Sequence, residues 1–418
     1  MNTFTAVFLA ALAAATLTRL WLAQRQASHV RANRGAVPAT FAETIPLAAH
    51  QKAADYTVAK VRLGMADILL GVAALLVLTL GGVLQWLWAA WAGVFEAGGL
   101  AHGTALVASA AVLLSVLELP MSVYRTFVVE ERFGFNRMTP GLFLADLAKH
   151  AALGAALGLP LLVLVLWLME RMGELWWLYV WLAWMGFNLL VLLIYPTFIA
   201  PLFNRFTPLA DATLAERIEA LLARCGFTSK GLYVMDGSRR SAHGNAYFTG
   251  FGAAKRIVFF DTLLARLAPG EVEAVLAHEL GHFRRHHVWQ RVALLFALSL
   301  AFLWVLGRLI DQAWFYEGLH AGAPDAAMGL LLFVLVMPVF TFFLQPLTSL
   351  VSRRHEFEAD AYAAAHASAP ELARALVKLY QDNAATLTPD PLHSAFYDSH
   401  PPAARRIARL QAGAWEAP

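Results

Sequence analysis

The sequence predicts a mainly α-helical protein that crosses a membrane several times and carries a small α+β region on one side. Of its 418 residues, 59% are apolar and 15% are charged, and the mean hydropathy is +0.57. Soluble globular proteins carry about 25% charged residues. Seven apolar stretches come near or exceed the roughly 20 residues that a helix needs to span a bilayer: 4–22, 64–92, 103–123, 151–169, 175–199, 289–310 and 327–351. We therefore predict seven transmembrane helices.

The distribution of Lys and Arg between these stretches predicts the orientation, because cytoplasmic loops are enriched in both residues. Segments 24–63 and 124–150 are basic, whereas 93–102 and 311–326 contain no Lys or Arg and 170–174 contains only Arg171. The N-terminus is therefore predicted to lie outside, with four cytoplasmic segments: 24–63, 124–150, 200–288 and 352–418. No Lys or Arg precedes the first apolar stretch, which indicates an uncleaved anchor rather than a signal peptide.

Composition also limits the classes of function. The formal net charge is +3, which gives no indication of nucleic-acid binding. Cys225 is the only cysteine, so neither an intrachain disulfide nor a cysteine-rich metal site is possible. The Ala- and Leu-rich composition, the single cysteine and the short loops are typical of a bacterial chain. We accordingly expect the bacterial inner (plasma) membrane as its location, and the sequence predicts no particular oligomeric state.

The motif HELGH at 278–282 has the H-E-x-x-H spacing of zinc hydrolases. His278 and His282 are four residues apart, so they project from one face of a helix and can bind one Zn²⁺. Glu279 then lies beside the metal, where it can act as a general base. The flanking sequence supports a helix, because Pro269-Gly270 is a favourable start and apolar residues follow at helical spacing. An ordinary helix with two His residues would also fit this motif.

A third ligand is predicted in the segment SRRHEFEADAYA at 352–363. On a helix, Glu356 and Asp360 share a face, whereas Glu358 points about 200° away from Glu356. A carboxylate from a second helix completes a His₂Glu site and leaves a fourth position for water. Asp360 can orient a ligating His through its free ring N–H. The alternative is a solvated acidic face at the membrane boundary, beside Arg353 and Arg354.

The region around the motif reads as a small α+β unit. The sequence predicts an amphipathic helix at 211–225 and strands at 231–237, 246–251 and 256–260. The last two strands are predicted to form a hairpin through a turn at 252–255. An edge strand can bind an extended peptide by main-chain hydrogen bonds, and we expect a substrate near Asn245–Tyr247. Further along, His393 and His400 are candidates for an auxiliary catalytic group, although a lone His is usually structural.

Together these segments resemble the type I CAAX prenyl protease family over nearly the whole chain. The resemblance rests on HELGH (278–282), SRRHEFEADAYA (352–363), GSRRSAHGNAYFTGF (237–251), KRIVFFDTLL (255–264), EERFGFNRMT (130–139) and SHPP (399–402). It implies seven transmembrane helices that form a helical barrel around a large water-filled chamber. A gluzincin-type zinc protease region on the cytoplasmic side is also implied, with one Zn²⁺ per chain.

The resemblance also implies roles for individual residues. His278, His282 and Glu356 match the zinc ligands of the family, and Glu279 matches its catalytic base. Asp360 matches the carboxylate of its E-x-x-x-D pattern. Asn245 and His400 match positions that line the cleft, where His400 is similar to the group that stabilises the oxyanion.

The predicted function is a membrane-embedded zinc metalloendopeptidase that acts on membrane or membrane-associated proteins and peptides. We expect four segments: a membrane domain at 1–200, a catalytic region at 201–288, helices six and seven at 289–351, and a second catalytic region at 352–418. Two alternatives stay open. A site-2-type intramembrane protease would place the motif inside a span and use a later Asp as ligand, and a membrane scaffold or chaperone would have no activity.

Overall fold

Long membrane-crossing helices dominate the computed structural model, which describes residues 2–249, 256–322 and 324–413. Seven helical segments in these ranges are long and apolar enough to cross a bilayer. They are Thr3–Ala32, Leu47–Leu78, Leu100–Glu130, Pro140–Arg171, Gly173–Phe203, His287–Leu309 and Ala326–His366. The predicted number of spans is therefore confirmed, and each observed segment contains or overlaps one of the predicted stretches.

The N-terminal half is helical throughout its spans. Its helices are α1 (Thr3–Ala32), α2 (Leu47–Leu78), α3 (Val83–Ala92), α4 (Leu100–Tyr124), α5 (Pro140–Arg171) and α6 (Trp176–Ile194). Two of them continue as π-helical turns, α4 through Arg125–Glu130 and α6 through Tyr195–Ile199. The short helix α7 (Ala200–Phe203) then ends this half of the chain.

The second span differs from the prediction. A single helix over 64–92 was expected, but α2 ends at Leu78 and α3 is a separate short helix. Gly81 and Gly82 cause the break: Gly82 has a φ of +76°, a conformation that glycine adopts without strain. Helix α2 begins at Leu47, well before the predicted start of the span, so its first half lies in segment 24–63.

The region that was predicted to be catalytic begins with strand β1 (Phe206–Pro208) and contains a four-stranded sheet. Its remaining elements up to the motif are α8 (Ala212–Arg224), β2 (Leu232–Met235), β3 (Ala246–Thr249), β4 (Arg256–Phe260), α9 (Asp261–Leu264) and α10 (Pro269–Arg284). The strand order is β1-β2-β4-β3; β2 and β4 are parallel and the other two pairs antiparallel. Strand β3 thus lies at an edge. The predicted turn at 252–255 and the end of the predicted strand, 250–251, lie outside the described residues.

The C-terminal part contains the last two spans and several shorter helices. Its elements are α11 (His287–Leu309), α12 (Ala313–Glu317), α13 (Ala326–Thr341), α14 (Gln345–His366), α15 (Ala369–Asp382), α16 (Pro391–Tyr397) and α17 (Ala403–Gln411). One 3₁₀ turn, Phe342–Leu344, joins α13 to α14. The segment 352–363 therefore lies in the middle of a helix that extends span seven, and α10 is followed directly by span six.

The two largest hydrophobic cores among the described residues hold these parts together. The first lies between the spans, with Leu106, Tyr316 and Leu332 fully buried. The second packs α8, β4, α10 and α15 against one another around Ile218 and Phe259. Helix α10 belongs to this second core, so its position relative to the sheet and to α14 is set by packing.

Candidate metal centre

Two helices bring the predicted ligands together. Helix α10 begins at Pro269, as predicted, and the Glu271 carboxylate accepts a hydrogen bond from the backbone N–H of Ala268 at 2.7 Å. One turn of α10 passes very close to α14 at Gly281. A Cβ atom at this position would lie 2.9 Å from Cα of Ala359, so only glycine permits the approach. The glycine of HELGH thus places both His residues against Glu356.

The three ligand candidates have the separations expected around one small metal ion. His278 Nε2 and His282 Nε2 are 3.3 Å apart. Glu356 Oε1 lies 3.3 Å from His282 Nε2, and Glu356 Oε2 lies 3.5 Å from His278 Nε2. Tetrahedral Zn²⁺ with bonds of 2.0–2.1 Å separates its ligand atoms by about 3.3 Å. Glu356 Oε2 is also buried without a hydrogen bond among the described residues. The site therefore fits a metal ion.

Asp360 contacts the far side of the first ligand. Its Oδ1 lies 2.9 Å from Nδ1 of His278, and both side chains are buried. Because Nδ1 donates its proton to this carboxylate, Nε2 is left free to bind a metal. Burial lowers the pKa of His278, but hydrogen bonds to Asp360 and Glu356 outweigh burial and raise the pKa to about 9. The Asp360 carboxylate, which accepts from the nitrogen that does not face the site, makes this imidazole a stronger ligand.

Arg406 belongs to the site, and our sequence analysis did not identify it. Its guanidinium donates to both oxygens of Asp360, at 2.9 and 2.6 Å, and its Nη1 lies 3.5 Å from Glu356 Oε2. The residue is only 5% exposed. A signal was present in the sequence, because Arg406 falls on the same stripe of α17 as Ala403, Ile407 and Leu410, all of which are buried.

Glu279 and His400 lie beside the ligands. Glu279 follows His278 on α10, and burial raises the pKa of its carboxyl group. A higher pKa suits a carboxylate that must accept a proton from water. His400 precedes α17, and its Nε2 lies 3.5 Å from Glu356 Oε1. Most of the His400 side chain is solvent-exposed, at 60%, so a substrate can reach it.

His393 occupies a different position. It lies on α16, where its backbone N–H donates to Asp390 and its ring packs against Tyr397 at a centroid distance of 4.8 Å. Its Nδ1 is buried without a hydrogen bond among the described residues. Of the two candidates, His400 is therefore the one placed against a metal-ligand side chain.

Two family models together match almost the full length of this chain. Residues 26–205 match the family described as CAAX prenyl protease N-terminal, five membrane helices, and residues 208–414 match peptidase family M48. The chain belongs to the CAAX prenyl protease family of M48 metallopeptidases. It is a multi-span integral membrane protein and a metalloprotease of the CAAX protease type, as predicted. The motif helix α10 is not among the candidate spans, unlike the arrangement expected of a site-2-type protease.

Individual relatives agree with this assignment. A CAAX prenyl protease 1 homolog of Oryza sativa subsp. japonica is 37% identical over 338 residues, 79% of either chain. CAAX prenyl protease 1 of Saccharomyces cerevisiae is also 37% identical, covering 71% of this chain and 69% of that one. The crystal structure of S. mikatae Ste24p superposes with a TM-score of 0.91 at 30% identity, over 98% of this chain and 99% of that one. These matches confirm the predicted fold class.

A cavity of about 770 Å³ lies between the spans, among α1, α2, α4 and α13. Charged side chains line it within the membrane part, namely Arg19, Asp67, Glu118 and Arg125. Ionisable groups in a span are costly to bury in lipid, and they mark a water-filled interior.

Asn245 directly precedes the edge strand β3. Its side-chain oxygen accepts a hydrogen bond from the backbone N–H of Ala246 at 2.8 Å, and its carbonyl accepts one from Phe260. Strand β3 pairs only with β4 among the described strands, so its other edge is free for main-chain pairing. The ion pairs and hydrogen bonds described above do not join Asn245 to the ligand cluster.

Proposed function

We propose that this protein is a zinc endopeptidase that cleaves extended peptides of membrane-associated proteins in a bacterial inner membrane. The observation that carries the proposal is a pair of imidazole nitrogens 3.3 Å apart, each within 3.5 Å of one carboxylate oxygen of Glu356, with Asp360 behind one of them. Two imidazoles and one carboxylate are the ligands of thermolysin-like zinc enzymes. His278, His282 and Glu356 would bind one Zn²⁺ per chain.

Bound zinc supplies Lewis-acid activation of water and of the scissile carbonyl. Side chains of the protein carry out the proton transfers and stabilise the transition state. The Glu279 carboxylate accepts the proton of the attacking water and passes it to the nitrogen of the leaving amine. The imidazole of His400 donates a hydrogen bond to the oxyanion that develops at the carbonyl. Asp360, itself paired with Arg406, holds His278 in the tautomer that binds metal.

The substrate is proposed to lie along β3, near Asn245–Tyr247. Backbone pairing with an edge strand holds a peptide in an extended conformation and demands little of its side chains. The relatives are named CAAX prenyl proteases, and we propose that this chain also cleaves C-terminal CAAX-type peptides. A second cavity, of about 420 Å³, lies beside His400 and is lined by Lys60, Tyr380 and Tyr397. It offers space for part of such a peptide.

The proposed organisation follows the predicted segments. Residues 1–200 and 289–351 form the membrane domain, and 201–288 and 352–418 assemble the catalytic region on the cytoplasmic side, with the N-terminus outside. The basic segments 24–63 and 124–150 support this orientation.

The full-length protein in detergent, loaded with zinc, tests the proposal on fluorogenic peptides. Three peptides are compared: a prenylated CAAX peptide, the same peptide without the prenyl group, and an internal sequence with a blocked C-terminus. We expect the wild-type protein to cleave peptide, and we expect Glu279→Gln to lower the cleavage rate at least about 10²-fold, the usual contribution of a general base. Lys230→Gln, an exposed change in the protease region, is the matched control. Equal turnover by wild type and Glu279→Gln would refute the proposal.

A further inference from the structure

His287 occupies a buried position directly behind the second metal ligand. Its Nδ1 lies 2.9 Å from Nδ1 of His282, and its Nε2 lies 3.0 Å from Oε2 of Glu358. Only 1% of the residue is exposed. We propose that His287 is a positioning residue: it fixes the tautomer and ring orientation of His282 and connects this ligand to the Glu358 carboxylate. The inference rests on the proposed metal site.

Hydrogen-bond chemistry determines the direction of this chain of contacts. Nε2 of His282 faces His278 Nε2 and Glu356 Oε1, each at 3.3 Å, and is the nitrogen that would bind the metal, so the proton of His282 resides on Nδ1. Two imidazole nitrogens 2.9 Å apart need one proton between them, so Nδ1 of His287 must accept. His287 therefore carries its own proton on Nε2 and donates it to Glu358. Each nitrogen of both rings then has one defined role.

Glu358 is held in place from the opposite side. Its Oε1 accepts a hydrogen bond from Nε of Arg354 at 3.0 Å. The sequence placed Glu358 about 200° away from Glu356 on the helix. That direction, which takes it away from the metal, points it at His287. The acidic segment therefore serves both ligands: Asp360 contacts His278 directly, and Glu358 contacts His282 through His287.

The backbone and one further ring hold His287 in position. His286 joins α10 to α11 with a φ of +58°, a left-handed conformation that is uncommon outside glycine. This turn brings the start of α11 back against α10. The ring of His355 stacks on the ring of His287, with centroids 4.0 Å apart and an interplanar angle of 8°. The imidazole of His287 is thus constrained on one face as well as at both nitrogens.

The test measures zinc affinity of the full-length protein by competition with a chelating dye. His287→Phe keeps a ring but removes the acceptor, and we expect zinc to bind roughly 10–100-fold more weakly, as is typical when the partner of a ligating His is lost. His287→Asn places an oxygen near the position of Nδ1, and it is expected to restore affinity to within a few-fold of wild type. The neighbouring His286→Asn, an exposed change, is the matched control and should retain wild-type affinity.

A second variant keeps the test decisive if His287→Phe does not fold. Glu358→Ala alters a partly exposed side chain and leaves His287 without its acceptor, so we expect about a tenfold loss of zinc affinity. Wild-type affinity in both His287→Phe and Glu358→Ala would overturn the inference, and so would a His287→Asn variant as weak as His287→Phe. If wild-type protein itself bound no zinc, the proposed function would fail instead, which separates the two results.

Discussion

Arg406 and Asp360 form a buried, two-pronged ion pair between the C-terminal helix and the helix that carries Glu356. The guanidinium Nε and Nη2 lie 2.9 and 2.6 Å from the two carboxylate oxygens, and both residues are at most 5% exposed. Such fork-to-fork geometry favours Arg over Lys, because two parallel hydrogen bonds form. The pair ties α17 to α14 and supports His278 through Asp360.

Removing Arg406 is therefore expected to destabilise the protein. Arg406→Leu leaves the Asp360 carboxylate buried without its partner, and breaking a buried ion pair in this way costs about 3–5 kcal/mol. Arg406→Lys keeps the charge but only one point of contact with Asp360, so its loss of stability should be smaller than that of Arg406→Leu. Thermal unfolding in detergent measures both. The exposed neighbour Arg405→Leu is the control, and a loss there equal to that of Arg406→Leu would contradict the special role of the pair.

Metal binding and chemistry are expected to separate between two glutamates. Wild-type protein should contain one zinc per chain, and a chelator should abolish proteolysis until zinc is returned. Glu356→Ala removes a ligand and should lose metal. Glu279→Gln removes a base and should retain the metal while losing cleavage. Metal analysis beside peptide turnover decides this. Loss of zinc from Glu279→Gln with retention in Glu356→Ala would reverse the two roles.

His400 is expected to act in the transition state rather than in binding. His400→Ala should lower kcat by roughly 10²–10³, the cost of one lost oxyanion donor, with little change in KM. Zinc content should be unchanged. His393→Ala should have a much smaller effect, because its ring packs against Tyr397 and not against a ligand. If His393→Ala were the impaired variant, or if His400→Ala raised only KM, the oxyanion role would belong to another residue.

Orientation can be tested by labelling single cysteines from one side of the membrane. In a Cys225→Ser background, Glu317→Cys reports on segment 311–326 and Lys230→Cys on the protease region; both positions are exposed. An impermeant thiol reagent added outside intact cells should label only Glu317→Cys, because segment 311–326 has no Lys or Arg. Opening the cells should make Lys230→Cys reactive. The opposite pattern would invert the proposed topology.

The sequence predicted most of the architecture because its signals are local. Apolar stretches near the length of a bilayer identified seven spans, and a Pro-Gly start identified α10 at its observed first residue. The i, i+4 spacings were equally informative: His278 and His282 share one face of α10, and Glu356 and Asp360 share one face of α14. Helix geometry alone determines such pairs. The prediction of helices failed where a turn conformation is more favourable than a helix, as at Gly81-Gly82 within the predicted second span.

The contacts that depend on distant parts of the chain were not predictable in this way. Arg406 reaches a carboxylate 46 positions away, and His287 reaches one 71 positions away. The periodicity of a local segment does not predict which buried polar side chains from distant segments will form hydrogen bonds with each other. Strand β1 was also missed, since three residues carry too little pattern, and its pairing with β2 is established by the sheet.

The sequence by itself determined the family, the seven spans and the identity of the three ligand candidates. The length of an apolar stretch and the helical spacing of side chains are properties of neighbouring residues, so they can be recognised without knowledge of the fold. Only the tertiary structure decided that Gly281 lets α10 approach α14, that His400 rather than His393 lies against Glu356, and that His287 contacts His282 while Arg406 contacts Asp360 behind His278. These outcomes depend on how helices far apart in the chain pack together, because a buried polar group must find a partner in whichever element packing places beside it.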